Sequence, residues 1–109
     1  MARTVIIITI FVTCLSIVFP AMAQTPKGDA AKVEAGAQVY DDNCFTCHGE
    51  KLVSPGQIFD LRQLKSSERA RFDVAVRKGR GQMPPWEGVL SDEQIDQVWQ
   101  YIRANSVEK

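Results

Sequence analysis

The sequence has no excess of either charge and contains very little histidine or cysteine. Its 109 residues include 13 basic and 13 acidic side chains, one histidine and three cysteines. The balanced charge argues against a nucleic-acid-binding protein, because such proteins usually carry a strong basic excess or a basic stripe. Internal repeats and low-complexity runs are also missing. A chain of this length has room for one domain.

The first 23 residues have the layout of a secretory signal peptide. A single arginine precedes an uncharged, mostly apolar run over residues 5–19, and Ala21 and Ala23 provide the small side chains of a cleavage site. We therefore predict cleavage after Ala23 and export to the periplasm, with no membrane association afterwards. A retained anchor is the alternative, but a membrane-spanning helix needs about 20 apolar residues and this run is short.

Cleavage would leave few side chains that can bind a metal. Residues 24–109 keep two cysteines, Cys44 and Cys47, one histidine, His48, and one methionine, Met83. Two cysteines within one short motif cannot build a disulfide framework. A domain this small has a thin core and often needs a further stabilising element. A covalent cofactor would supply one.

Hydrophobic periodicity predicts an all-α fold. We expect a flexible leader over residues 24–31 and one domain over residues 32–109, with helices over 31–43 and 67–78 and a final helix that begins after Ser91. Ser91 and Gln94 form a capping box at the start of this last helix. Strand alternation never extends beyond a few residues. The helices therefore form a small bundle of three or four.

The segment Cys44-Phe45-Thr46-Cys47-His48 matches the attachment pattern of a covalent haem. Positions i and i+3 of a helical turn lie on the same side, and position i+4 follows them. Each thiol can therefore bond to a vinyl group of one porphyrin, and His48 can bind the iron. We predict one haem c with its iron at this motif.

The motif has three other interpretations. A structural zinc site needs four ligands, and residues 24–109 offer only three sulfur or imidazole groups. A thioredoxin-like redox pair belongs beside a βαβ unit, and the pattern predicts none. A chance match is the third. The signal peptide and the shortage of other cysteines favour haem attachment.

Met83 is the predicted sixth ligand of the iron, because no second histidine exists and no other methionine would remain after cleavage. It lies in a loop over residues 79–88 with three glycines and the pair Pro84-Pro85, which can present a sulfur without regular structure. With both axial positions filled, the iron would exchange electrons and catalyse nothing. If Met83 only fills a gap in the core, the distal site is open, as in a small peroxidase or gas sensor.

The sequence resembles class I c-type cytochromes. The matching features are Gly36 and Tyr40 ahead of the cysteine motif, the Met83-Pro84 loop, and a final helix with an aromatic pair. The resemblance implies a cytochrome c bundle around one haem, in which the first and last helices cross at the glycine. It also implies that Pro55 accepts a hydrogen bond from the haem histidine, although the order and spacing around this proline differ from the family pattern.

A narrower resemblance is to cytochromes paired with quinoprotein alcohol dehydrogenases. It includes Asp60-Leu61-Arg62 and the loop that ends in Trp86. It implies a quinoprotein dehydrogenase as electron donor and a terminal oxidase or another cytochrome as acceptor. Arg62 and Arg80 are candidate partners of the haem propionates, and Trp86 is a candidate for the haem edge. The alternatives are solvated arginines and a tryptophan in the core.

Overall fold

The computed structural model describes residues 29–108. The predicted signal peptide and residues 24–28 of the predicted leader lie outside these residues. The described part contains four α-helices and three 3-10 turns and no strand, which confirms the all-α class. The helices are α1 (Ala30–Asn43), α2 (Phe45–His48), α3 (Arg69–Lys78) and α4 (Asp92–Ala104), and the turns are Glu50–Leu52, Leu61–Gln63 and Ser66–Glu68.

The first helix begins slightly earlier than the sequence predicts. Asp29 caps it, since its side chain accepts a hydrogen bond from the Ala31 N–H at 3.0 Å. The last two residues assigned to the leader, Ala30 and Ala31, are therefore helical. At the other end the helix leads directly to Cys44, whose N–H donates to the Tyr40 carbonyl at 2.7 Å. The cysteine motif is thus anchored to α1.

The first and last helices, α1 and α4, approach each other closely at Gly36. A Cβ atom at this position would lie 1.9 Å from the Gln97 carbonyl oxygen, so only glycine fits without separating the helices. Beside the crossing, the rings of Tyr40 and Tyr101 pack with centroids 5.5 Å apart. The crossing implied by the family resemblance is present.

The third and fourth helices pack against each other through aromatic side chains. Phe72 and Trp99 have ring centroids 5.2 Å apart. The third helix begins at Arg69, two residues later than predicted, because residues 66–68 form a 3-10 turn instead. The buried apolar side chains form one core, which consists of Val39, Tyr40, Leu52, Leu64, Phe72, Val76, Ile95, Val98, Trp99 and Ile102.

The residues after α4 fold back onto the segment that precedes α3. The Val107 N–H donates to the Arg62 carbonyl at 3.0 Å, and the Glu108 carboxylate accepts from the Ser66 N–H at 2.9 Å. The Arg103 guanidinium donates to the Leu64 carbonyl at 2.6 Å. These bonds fix the turn that bears Arg62. Among residues 29–108, no helix is long and apolar enough to span a bilayer.

Candidate functional site

The cysteine motif forms the single turn of α2. His48 donates its backbone N–H to the Cys44 carbonyl at 3.0 Å, which closes this turn. Cys44 is half-buried, Cys47 is exposed, and both are free thiols. Because they are three residues apart on a helical turn, the two sulfurs share a side of the chain. This is the arrangement that attachment to one planar group requires.

Burial raises the pKa of the Cys44 thiol from 9.0 to about 11, and the nearby Cys47 adds to the rise. A thioredoxin-like pair needs the opposite, a cysteine whose pKa is lowered so that the reactive thiolate forms. The burial of Cys44 therefore argues against that interpretation. Within the described chain, no three His, Cys, Asp or Glu side chains are grouped so that they could hold a metal ion together. The zinc interpretation thus gains no support.

His48 is half-buried, and burial lowers the pKa of its imidazole below the usual 6.5. The ring is therefore neutral at pH 7, which is the form that binds metals. Its Nδ1 atom is buried and has no hydrogen-bond partner. Pro55 lies close to the motif, since its Cδ would be 3.5 Å from a Cβ placed on Gly49. The structure forms no bond between Nδ1 and Pro55, so the role of Pro55 stays a prediction.

These residues fit a haem. The neutral imidazole of His48 directly follows two free thiols that lie on one helical turn. Four large apolar side chains of the motif and of the segment after it are exposed to between 38% and 53%. They are Phe45, Val53, Ile58 and Phe59. An apolar macrocycle held by Cys44 and Cys47 would cover such side chains, and the imidazole would serve its iron.

The loop that contains Met83 has a defined shape. The backbone N–H of Arg80 donates to the Met83 carbonyl at 3.1 Å, and the Met83 N–H donates back at 3.0 Å. Gly79 precedes this pair with φ 75°, and a Cβ there would lie 2.5 Å from the Met83 oxygen. Met83 is half-buried and packs against the core. The methionine is thus held by its backbone.

Trp86 closes the same loop. Its backbone N–H donates to the Val76 carbonyl at 2.8 Å, near the end of α3, and its half-buried indole packs against the core. The core interpretation of Trp86 therefore agrees with the structure, and a contact with the haem edge stays a prediction.

The two candidate propionate partners are in different environments. Arg62 forms a bidentate pair with Asp60, with Nε–Oδ1 at 3.0 Å and Nη2–Oδ2 at 2.7 Å. Its guanidinium holds the pKa of Asp60 below the usual 3.8. Arg80 is exposed and forms no ion pair within residues 29–108. Of the two, Arg80 has the freer guanidinium.

Arg80 also lines an open cavity of about 500 Å³ on the outer side of α3, together with Ala70, Arg71, Val74, Ala75 and Gly79. The cavity includes no residue of the cysteine motif. It does not define the haem position by itself.

The basic side chains of α3 are paired with carboxylates. The pairs are Arg69 with Asp73 and Asp96, Arg71 with Glu68, Arg77 with Asp92, and Lys78 with Glu87. A basic docking face for an acidic partner is one use the sequence suggests for this helix. The pairing neutralises that face locally and weakens its attraction for a distant acidic surface.

The sequence did not reveal the turn over residues 49–52 that follows His48. Lys51 and Leu52 adopt left-handed φ angles of 51° and 66°, which are uncommon for residues with a side chain. The Tyr40 hydroxyl donates to the Gly49 carbonyl at 2.6 Å and joins this turn to α1. Gly49 was the one available signal, because glycine often marks a left-handed backbone.

Comparisons with known proteins agree on one family. A family model described as "Cytochrome C oxidase, cbb3-type, subunit III" matches residues 31–102. Cytochrome c6 of Euglena gracilis is 36% identical over 74 residues, which cover 62% of this chain and 85% of that protein. The quinohemoprotein alcohol dehydrogenase ADH-IIG of Pseudomonas putida is 39% identical over 85 residues, 72% of this chain.

The solved structure of ADHIIG from Pseudomonas putida HK5 matches 72% of this chain with a TM-score of 0.67 and 37% identity. The chain spans only 12% of the length of this dehydrogenase. The likeness is therefore to one part of a much larger enzyme.

Proposed function

Because the chain belongs to the cytochrome c family, whose members carry covalent haem c and transfer electrons, we propose that it is a periplasmic carrier of single electrons. Cys44 and Cys47 would hold one haem covalently, and His48 and Met83 would bind its iron. Two free thiols on one helical turn, followed directly by the neutral imidazole of His48, are the observation that carries this assignment.

The iron of the haem supplies a one-electron couple between its ferric and ferrous states. Two thioether links from Cys44 and Cys47 keep the group from leaving an exported protein. His48 offers a neutral imidazole, since burial lowers its pKa. The thioether of Met83 is a weak donor that favours ferrous iron and raises the reduction potential. With both axial positions filled, the protein has no catalytic activity of its own.

The partners follow from the kind of protein that the chain resembles. Its likeness to part of a quinohemoprotein alcohol dehydrogenase supports a quinoprotein dehydrogenase as the electron donor. A terminal oxidase or another cytochrome is the acceptor. Because the basic side chains of α3 are paired with carboxylates, docking depends on shape and apolar contact more than on this helix's charge.

The decisive experiment compares the ferric absorption spectra of the wild type and Met83→Ala. Iron bound to a thioether gives a weak near-red band, which we expect in the wild type and not in the variant. We also expect a midpoint potential lower by about 100 mV or more, within the roughly 0.8 V range that axial ligands control. Val89→Ala, at an exposed site in the same region, should change neither.

A wild type without the near-red band that readily binds carbon monoxide would contradict the proposal. Such a protein would have an open distal site, and the peroxidase or gas-sensor alternative would replace electron transfer.

A further inference from the structure

Tyr40 connects the first helix to the segment that follows the haem histidine. Its side chain is fully buried, and its ring packs on Tyr101. Its hydroxyl donates to the Gly49 carbonyl, with an O–O distance of 2.6 Å. Burial raises the pKa of this hydroxyl far above its usual range. The hydroxyl is therefore protonated, and able to donate, at neutral pH.

The bond holds a turn with an unusual backbone. Gly49 has φ 90°, and both Lys51 and Leu52 lie in the left-handed region that side chains disfavour. A Cβ on Gly49 would be 1.9 Å from the Val53 carbonyl oxygen, so the chain doubles back tightly at this point. Such a backbone persists only where the surroundings hold it. The Tyr40 hydroxyl holds its first residue, and the fully buried Leu52 side chain holds its last.

His48 immediately precedes this turn, and Pro55, the predicted acceptor of its ring N–H, lies against the turn, since its Cδ would be 3.5 Å from a Cβ on Gly49. Metal-binding histidines are usually oriented by a hydrogen bond from the second ring nitrogen to a carboxylate or carbonyl. The buried Nδ1 of His48 makes no such bond. The placement of the imidazole relative to this acceptor depends on the backbone of the turn that joins them. That backbone is fixed by the Gly49 N–H, which donates to Phe45 at 2.8 Å, and by the Gly49 carbonyl.

We propose that Tyr40 is a positioning residue for the haem ligand His48, and that its hydroxyl sets the imidazole orientation through the Gly49 carbonyl. This inference rests on the proposed role of His48 in the haem site. It assigns to the hydroxyl a role separate from the ring, which packs at the crossing of α1 and α4.

The test is Tyr40→Phe in the haem-loaded protein, with Tyr101→Phe as the matched control. Each variant removes one hydroxyl and keeps the packed pair of rings. Only the Tyr40 hydroxyl is bonded to the Gly49 carbonyl, and the Tyr101 hydroxyl makes no hydrogen bond within the described residues. The readouts are the paramagnetically shifted haem-methyl resonances of the ferric protein, which depend on the imidazole plane, and the midpoint potential. We expect Tyr40→Phe to shift both relative to wild type and Tyr101→Phe to shift neither.

A Tyr40→Phe protein with wild-type haem-methyl resonances and potential would overturn the inference. That outcome differs from failure of the proposed function, which would appear as a missing near-red band in the wild type itself. If Tyr40→Phe does not yield holoprotein, the proposal is tested on the wild-type protein instead. In the ferrous protein, we expect a slowly exchanging Tyr40 hydroxyl proton in nuclear Overhauser contact with residues 49–52, and rapid exchange would refute the proposal.

Discussion

At the scale of single residues, Gly36 has little freedom to change. It lies in the interior of α1, where alanine would normally be the better helix former by roughly 0.5–1 kcal/mol. The obstacle is the Gln97 carbonyl oxygen, only 1.9 Å from the place of a Cβ. A backbone oxygen cannot move aside as a flexible side chain can. The two helices would have to separate.

We expect Gly36→Ala to lower the free energy of unfolding by about 2 kcal/mol or more, near the upper end of overpacking costs, despite its gain in helix propensity. Urea unfolding of the haem-loaded protein measures this change. Glu34→Ala places the same side chain at an exposed position of the same helix and should be close to neutral. A Gly36→Ala protein as stable as this control would show that the helices do not approach as closely as described.

At the scale of elements, the last helix is specified most locally. Ser91 accepts a hydrogen bond from the Gln94 N–H at 3.1 Å, and the Gln94 side chain accepts from the Ser91 N–H at 2.9 Å. This reciprocal pair satisfies two backbone donors that a helix start leaves free. The buried stripe of the helix follows at once, with Ile95, Val98 and Ile102 in the core.

Ser91→Ala should therefore destabilise the protein by about 1 kcal/mol, the usual cost of losing an N-cap side chain. Thermal or urea unfolding provides the measurement. Ser67→Ala is the control, because Ser67 is exposed and its side chain forms no hydrogen bond within the described part of the chain. Equal effects of the two substitutions would contradict the capping role.

At the scale of the whole molecule, one charge cluster joins three helices. Asp96 on α4 pairs with Arg69 on α3 at 2.7 Å and with Lys32 on α1 at 3.5 Å. Arg69 also pairs with Asp73 at 2.9 Å and lies over the Trp99 ring, 5.6 Å from its centroid. The hydrogen bond from Arg69 lowers the pKa of Asp96 below its usual 3.8. The cluster is partly exposed, so its contribution is modest.

A lowered folded-state pKa means that the unfolded chain takes up a proton first as the pH falls. The stability contributed by Asp96 is thus present at pH 7 and is lost progressively below about pH 5. We expect Asp96→Asn to be less stable than wild type by less than about 1 kcal/mol at pH 7, with the gap narrowing as the pH falls below about 4. Urea unfolding at several pH values measures the gap, and Glu34→Gln should show none. A gap that does not vary with pH would count against the ion pair.

The start of one helix was predictable from the sequence, and the start of another was not. The start of α4 was found because a capping box and a helical stripe are both contained within a dozen residues. The start of α3 was placed two residues too early, because the carboxylate of Glu68 turns back to the Lys65 N–H and forms a 3-10 turn instead. The assignment of Cys44, Cys47, His48 and Met83 stays a prediction that the spectra will test.

The all-α class and the haem motif followed from the sequence because helical periodicity and the spacing of two thiols and an imidazole are local properties of the chain. Tertiary structure decided the rest. It paired the basic residues of α3 with carboxylates, and it joined Tyr40 to Gly49 beyond the motif. Such contacts depend on how the helices pack. The helices α1 and α4 can cross closely because Gly36 has no side chain, and this crossing brings distant segments of the chain together.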